Sequence, residues 1–519
     1  MNVLRAPSFF RPASRSSSPA PVPQPPSRHD SGNSLESVPR SLNKLSLSNF
    51  RRPARSTGPA ANPPPLVQDC SYLEVLNLKL SEAVSKALLL PVSPGNLAEQ
   101  VAGRKPIPEG RGHALGALIA SELHATRDNP HLHRAILRSL HRPLSVLLNN
   151  FSSQLLPIIS SPQFLSVPVL TPHSPNLNAV QVHALSIAAF AGDILDTFDE
   201  LGLGLDNDIR GDGLKEIREG LTSIIGRVIQ PMLANLKNEL VPLLDALESP
   251  RSLRSPGFKL SIHPSIVTLQ TLIPVYSRAI GRYMTSGACD TMLATFLISV
   301  VWRGVVALAH RPFPTTSPSP TLLPVGSKKL KGPPTGTPPV TPPPSRFMKL
   351  PPSRPPSPVL DTYADPTASD ARALYDLLST LPRPAGKKGT SLAKEAVDDA
   401  FDGLKSLAPF LEAVYASKSG IFHGQNASTN LDNLTAEIPL LVALPILLRV
   451  LHQPMTVHQI LGLSEEDYRR GCLTGFGRAE ECALAVGQRV NDVLYIRPEV
   501  PLVMLQWLDM ELAEITNAG

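Results

Sequence analysis

Apolar residues recur at three- and four-residue intervals along most of this chain, in runs separated by proline, glycine and serine. Leu73, Leu76, Leu80, Val84 and Leu88 fall on one helical face, which Pro91 ends. The same spacing predicts helices over 113–125, 130–149 and 176–201. The longest stripe (Ile217, Leu221, Ile224, Val228, Met232, Leu236, Leu240, Leu243, Leu247) predicts a helix over 214–248, kinked or divided at Pro231 and Pro242. Helices at 264–284 and 290–310 follow. The pattern resumes at 369–381 and at 391–419, where Val397, Phe401, Leu404, Leu407, Leu411 and Val414 share a face and Gly420 is a helix stop. Thr435 is placed to cap an apolar helix over 438–451. Closing helices at 478–496 and 501–515 bring Trp507 and Leu508 into a core.

These elements, with only 5% aromatic residues and few alternating β-branched runs, predict an all-α fold. The expected organisation is two helical-bundle-like domains, 66–310 and 368–517. A long disordered proline-rich linker over 311–367 joins them, and a disordered basic Pro/Ser-rich tail over 1–65 precedes them. The two helical regions have the alternative of docking as one bundle, because the entropy of closing a long loop grows slowly with its length. No fixed repeat period supports a solenoid.

Charge sharpens this division. The formal net charge is +6, yet residues 1–60 hold nine Lys or Arg against only Asp30 and Glu36, and residues 311–360 hold seven basic residues, starting at Arg311, and no acid. The helical parts are therefore acidic. Basic segments on an acidic body suit a polyanion: an acidic protein surface such as tubulin, an anionic membrane, or nucleic acid. Lys349, Pro352 and Pro355 have the spacing read by an aromatic-lined groove of Src-homology-3 type. Ser18, Ser255, Ser317, Ser319, Thr337, Thr341 and Ser357 each precede proline and are candidate phosphorylation sites, where each phosphate adds roughly −1.5 to −2 charge.

Motifs of chemistry each depart from what their chemistry needs. Asp193, Asp196 and Asp199 on an apolar helix resemble the aspartate-rich magnesium site of terpenoid synthases, without that family's adjacent Asp-Asp pair or a second metal motif. The 206–213 turn begins like an EF-hand, but Arg210 and Ile217 stand where oxygen ligands belong. The 386–390 stretch lacks the first glycine of a phosphate loop, and the Ser391/Lys394 spacing arises readily in any helix. His113, His124, His131, His133 and His141 do not converge on helical geometry. Residues 456–470 resemble a helix-turn-helix, but Glu465, Glu466 and Asp467 would meet the phosphates; Ser464 and Asp467 read better as an N-cap. Four scattered cysteines predict neither a disulfide framework nor a zinc site and fit a reducing compartment. Residues 291–309, with Arg303 as their one charge, are long enough for a membrane span or a buried central helix.

The expected function is therefore a non-enzymatic scaffold or adaptor, with no cofactor, no metal and no small-molecule substrate. Its partners are unidentified proteins, with a polyanion met through the basic segments, and its expected location is cytoplasmic or nuclear. An Arg- and Ser-rich, acid-free stretch over 1–28 keeps a mitochondrial location open, although Pro7 and Pro12 interrupt the helix a presequence needs. The alternatives are an all-α metal-dependent enzyme built on the aspartates and a membrane-associated protein using 291–309.

Overall fold

The long apolar helix predicted over 290–310 is packed on by helices from both parts of the chain. The structure is a computed structural model and describes residues 67–89, 105–166, 177–205, 213–250, 262–312, 366–386, 390–417 and 427–518. Among these residues there are fifteen α-helices and no strand. Before the long undescribed stretch come α1 (Val67–Leu88), α2 (Arg111–Ala125), α3 (Pro130–Ile159), α4 (Ala179–Leu201), α5 (Leu214–Asp245), α6 (Pro264–Tyr283) and α7 (Asp290–His310). After it come α8 (Pro366–Leu378), α9 (Ser391–Ser417), α10 (Ala427–Thr435), α11 (Leu440–Val450), α12 (Val457–Leu461), α13 (Glu465–Cys472), α14 (Phe476–Tyr495) and α15 (Leu502–Ala518).

Helix α7 is apolar on nearly every face, and an all-round apolar helix must be covered on every side. It packs against α5 on the N-terminal part of the chain and against α8, α9, α11 and α14 on the C-terminal part. Arg303, its one interior charge, reaches the surface and makes a two-pronged bond to Asp245 at the end of α5 (2.6 and 3.0 Å). Both α4 and the 287–310 stretch are long and apolar enough to cross a membrane by length and composition; each is mostly buried within the protein.

Helix starts are set by local chemistry that the sequence displays. The Asn129 side chain accepts from the Leu132 amide (3.2 Å) with Pro130 at the first helical position, opening α3. Asn178 and Gln181 form a reciprocal capping box at the start of α4, which Gly202 closes in the left-handed conformation. Two expectations need correction. Helix α5 is not divided: it continues through Pro231 and Pro242 to Asp245, because Ile224, Val228, Leu233, Leu236, Leu240 and Leu244 are buried on both sides of each proline. A break would expose that stripe, which outweighs proline's lost hydrogen bond. Thr435 does not cap the apolar helix that follows. It is the buried last residue of α10, a nine-residue helix whose only large apolar side chains are Leu431 and Leu434, and its hydroxyl accepts from Trp507 Nε1 (2.9 Å) on α15.

The α2–α4 contact is unusually close. A Cβ at Gly116 would stand 2.1 Å from Thr197 Oγ1, and one at Gly112 would stand 2.7 Å from both Asp193 Cβ and the Phe190 carbonyl oxygen. Only glycine fits both places, so the pair of glycines one turn apart lets these two backbones approach.

Helices from both sides of residues 313–365 share one hydrophobic core, within a unit spanning 65–519. A buried ion pair fastens them. Arg311 is 4% exposed and its partner Asp370 0%, with Nη1 to Oδ2 at 2.7 Å. Arg311 Nε also donates to the Leu247 carbonyl (2.6 Å), and Asp370 Oδ1 accepts from the His263 amide (3.1 Å). Arg449 of α11 donates to the carbonyls of Arg311 (2.8 Å) and Ala309. Arg311, expected as the first charge of the basic linker, is thus neutralised inside the core. Residues 313–365 of that linker, and the tail over 1–65, lie outside the described residues; Pro366 and Thr367, expected as the linker's end, instead open α8, where Thr367 is buried.

Removing one partner of a buried pair strands the other charge, which costs about 3–5 kcal/mol, whereas replacing both by apolar groups of similar volume is close to neutral. Asp370→Ala should therefore destabilise the chain by about 3–5 kcal/mol in denaturant unfolding, and Arg311→Met with Asp370→Leu should recover most of that loss. A cost below about 1 kcal/mol for the single change would show that the pair does not hold the core.

Candidate functional site

A concavity lies where the 106–110 segment and the first turn of α2 face α4 and the second half of α6. It encloses about 1090 Å³. Val182, Phe190, Val275 and Ile107 make its apolar floor, and Glu109, His113, Asp193, Arg278, Arg282 and Tyr283 line it with charge and hydrogen-bonding capacity. The Ile107 amide donates to Ser186 Oγ (3.1 Å), which pins the 106–110 segment to α4. Asp193 Oδ2 accepts from the His113 amide (3.1 Å). Burial pushes the Asp193 carboxyl above its ordinary range, and that hydrogen bond only partly opposes it. At the rim Arg282 meets Glu109 (3.3 Å) and lies over the Tyr283 ring, 5.3 Å from its centroid. Both members of the Arg282–Glu109 pair are exposed, so that pair closes nothing.

The three aspartates of α4 go to three different partners. Asp193 faces the cavity. Asp196 accepts from Ser286 Oγ (2.9 Å) and the Gly287 amide (3.2 Å), fixing the turn that leads into α7. Asp199 pairs with Arg218 of α5. Spread over the helix face, they do not share one centre. Among the described residues no group of three or more His, Cys, Asp or Glu side chains is arranged to hold a metal, the five histidines of 113–141 included. A second, shallower groove of about 820 Å³ runs along α5 past Lys215, Arg218, Glu219 and Arg227, where Glu219 stands 4.0 Å from Lys215.

In the 456–470 stretch the cap is as expected: Ser464 Oγ accepts from the Asp467 amide (3.1 Å). The arginines of α13 are turned to carboxylates. Arg469 bridges Glu248 (Nη1 to Oε2, 2.8 Å) and Glu465 (2.7 Å), and Arg470 is paired to Glu466 (2.5 Å). Burial raises the Glu248 carboxyl, but the hydrogen bond and charge of Arg469 outweigh it and hold the carboxyl below its ordinary value. Thr390, at the edge of the glycine-lysine stretch, donates its hydroxyl to Asp290 (2.8 Å) at the start of α7. Residues 387–389 and 206–212 lie outside the described residues. So do the candidate partner-binding residues Lys349, Pro352 and Pro355 and the candidate phosphorylation sites Ser18, Ser255, Ser317, Ser319, Thr337, Thr341 and Ser357.

No family model, curated protein or solved structure matches this chain. The cavity residues other than Asp193 and His113 carried no sequence signal, because Glu109, Arg278 and Arg282 are brought together only by the packing of α6 beside α4.

Two half-buried titratable groups give the fold opposite responses to acid. Burial lowers His310, at the end of α7 near Arg469 and Arg449, from 6.5 to about 4. Its folded form binds fewer protons than its unfolded form between those values, so its stabilising contribution is lost as pH falls through that window. Burial raises Glu511, which accepts from Thr435 (3.0 Å), from 4.5 to about 7. Its folded form binds more protons there, so its contribution declines as pH rises from about 4.5 to 7. Glu511→Gln should therefore stabilise the protein at pH 7.5 by about 1–2 kcal/mol, with the gain vanishing near pH 4.5. Thermal unfolding of the two proteins across this range measures the difference; a gain that grows on acidification would contradict the assignment.

Proposed function

We propose that this protein is a non-enzymatic scaffold, in which a rigid helical unit presents a basic proline-rich segment to protein partners. The observation that carries the reading is the buried Arg311–Asp370 pair. It holds the chain at one place where the 313–365 segment leaves and at one place where it returns, so the segment is an insertion in a single core. With Arg311 neutralised, residues 313–365 keep six Lys or Arg against Asp361 and Asp365, a net charge of +4. Phosphorylation at Ser317, Ser319, Thr337, Thr341 and Ser357 would reverse that sign, which makes attachment to an acidic surface tunable. Lys349, Pro352 and Pro355 are the residues offered to an aromatic groove.

Because both ends are fixed by the core, the segment can be exchanged without touching the fold. Replacing 313–365 by a short Gly/Ser spacer should leave the melting curve unchanged and abolish capture of recurrent, stoichiometric partners found with the full chain by affinity purification and mass spectrometry. Glutamate at the five serine and threonine positions should remove the salt-sensitive part of that capture. Equal partner recovery from the full and shortened chains would place recognition elsewhere, and no recurrent partner with either would refute the scaffold reading.

A further inference from the structure

The corner between α13 and α14 brings together two cysteines that stand ten positions apart. Cys472 is the last residue of α13 and is buried; Cys482, on the second turn of α14, is half-buried. Cys482 Sγ lies 3.8 Å from the Gly471 carbonyl oxygen, the peptide group that leads into Cys472, and burial, with the Cys482 thiol beside it, pushes the Cys472 thiol up. The surroundings are built around this pair. Arg478 Nε donates to the same Gly471 carbonyl (2.8 Å), which sets a guanidinium beside both sulfurs. On the inner side the buried Tyr468 hydroxyl, next to both sulfurs, has no hydrogen-bond partner among the described residues.

The geometry points to Cys472 and Cys482 as an oxidative modification site, at which a peroxide converts the dithiol into a reversible disulfide that locks α13 to α14. Cys482, the more exposed sulfur, reacts first. Its thiolate attacks one peroxide oxygen; an S–O bond forms, the O–O bond breaks and the departing hydroxide takes up a proton to leave as water. The Cys472 thiolate then attacks the sulfenic sulfur: the S–S bond forms, the S–O bond breaks and a second water leaves. In sum two thiols are oxidised, hydrogen peroxide is reduced to two waters, and both thiol protons end in water. The order fits the environment, since burial holds the Cys472 thiol up at about 11 and makes it the resolving group. The lock falls where the C-terminal helices are attached to the rest of the core: Arg469 of α13 binds Glu248, and the Leu473 carbonyl accepts from Trp302 Nε1 of α7 (2.9 Å).

The test uses the full, reduced chain treated with a small molar excess of hydrogen peroxide, then alkylated and digested with trypsin. The expected product is peptide 471–478 joined to peptide 479–489, two hydrogens lighter than the separate peptides, abolished by Cys472→Ser or Cys482→Ser and reversed by dithiothreitol. Recovery of both cysteines alkylated, separate sulfinic or sulfonic acids at the two sulfurs, or linkage to Cys70 or Cys289 instead would each overturn the proposal.

Discussion

One buried ion pair decides how this chain can be one body. Arg311 and Asp370 stand on opposite sides of a long proline-rich stretch, and neither side chain is left to water. Charges so placed are costly unless they are also hydrogen-bonded: the Leu247 carbonyl accepts from Arg311 Nε and Asp370 Oδ1 accepts from the His263 amide, while Arg311 Nη2 has no partner among the described residues; Arg449 binds the Arg311 main-chain carbonyl. The pair therefore fixes five pieces of chain at one point: the end of α5, the start of α6, the end of α7, α8 and α11. It adds specificity of docking to a core that is otherwise non-directional leucine, isoleucine and valine.

Helix α7 explains why such a fastening is needed. Its apolar surface faces two groups of helices, one on each side of the 313–365 stretch, and neither group alone would cover it. The charges that surround its ends are each answered: Asp290 by Thr390, Arg303 by Asp245, Arg311 by Asp370, and Glu248 near His310 by Arg469. A helix with the length and composition of a membrane span is in this fold wrapped by protein. Its polar ends mark where the wrapping helices are held.

Much of the helical content was legible because amphipathic spacing is a local property. The stripe of α5 and the caps at Asn129, Asn178 and Ser464 could be read from a few neighbouring residues, or, for Asn129 and Asn178, were there to be read. What failed was non-local. The continuation of α5 through two prolines depends on the helices that cover its stripe, and α10 is held by Trp507 and Glu511 of α15 rather than by its own composition. Arg311 looked like any other base in a basic run; only Asp370, 59 positions away, makes it a core residue. The same holds for the cavity, where Asp193 was noticed for the wrong neighbours: it faces His113 and α6, not Asp196 and Asp199. Sequence spacing on one helix does not say which side chains converge across several.

The central claim is that the helices before and after residues 313–365 form one cooperative core. The most direct measurement is to place a single protease site within that stretch, cleave the folded protein completely, and follow the two fragments by size-exclusion chromatography and thermal unfolding. The account predicts that they stay together without a covalent link and unfold in one transition close to that of the intact chain. Fragments that separate, or that unfold in two independent transitions, would contradict it.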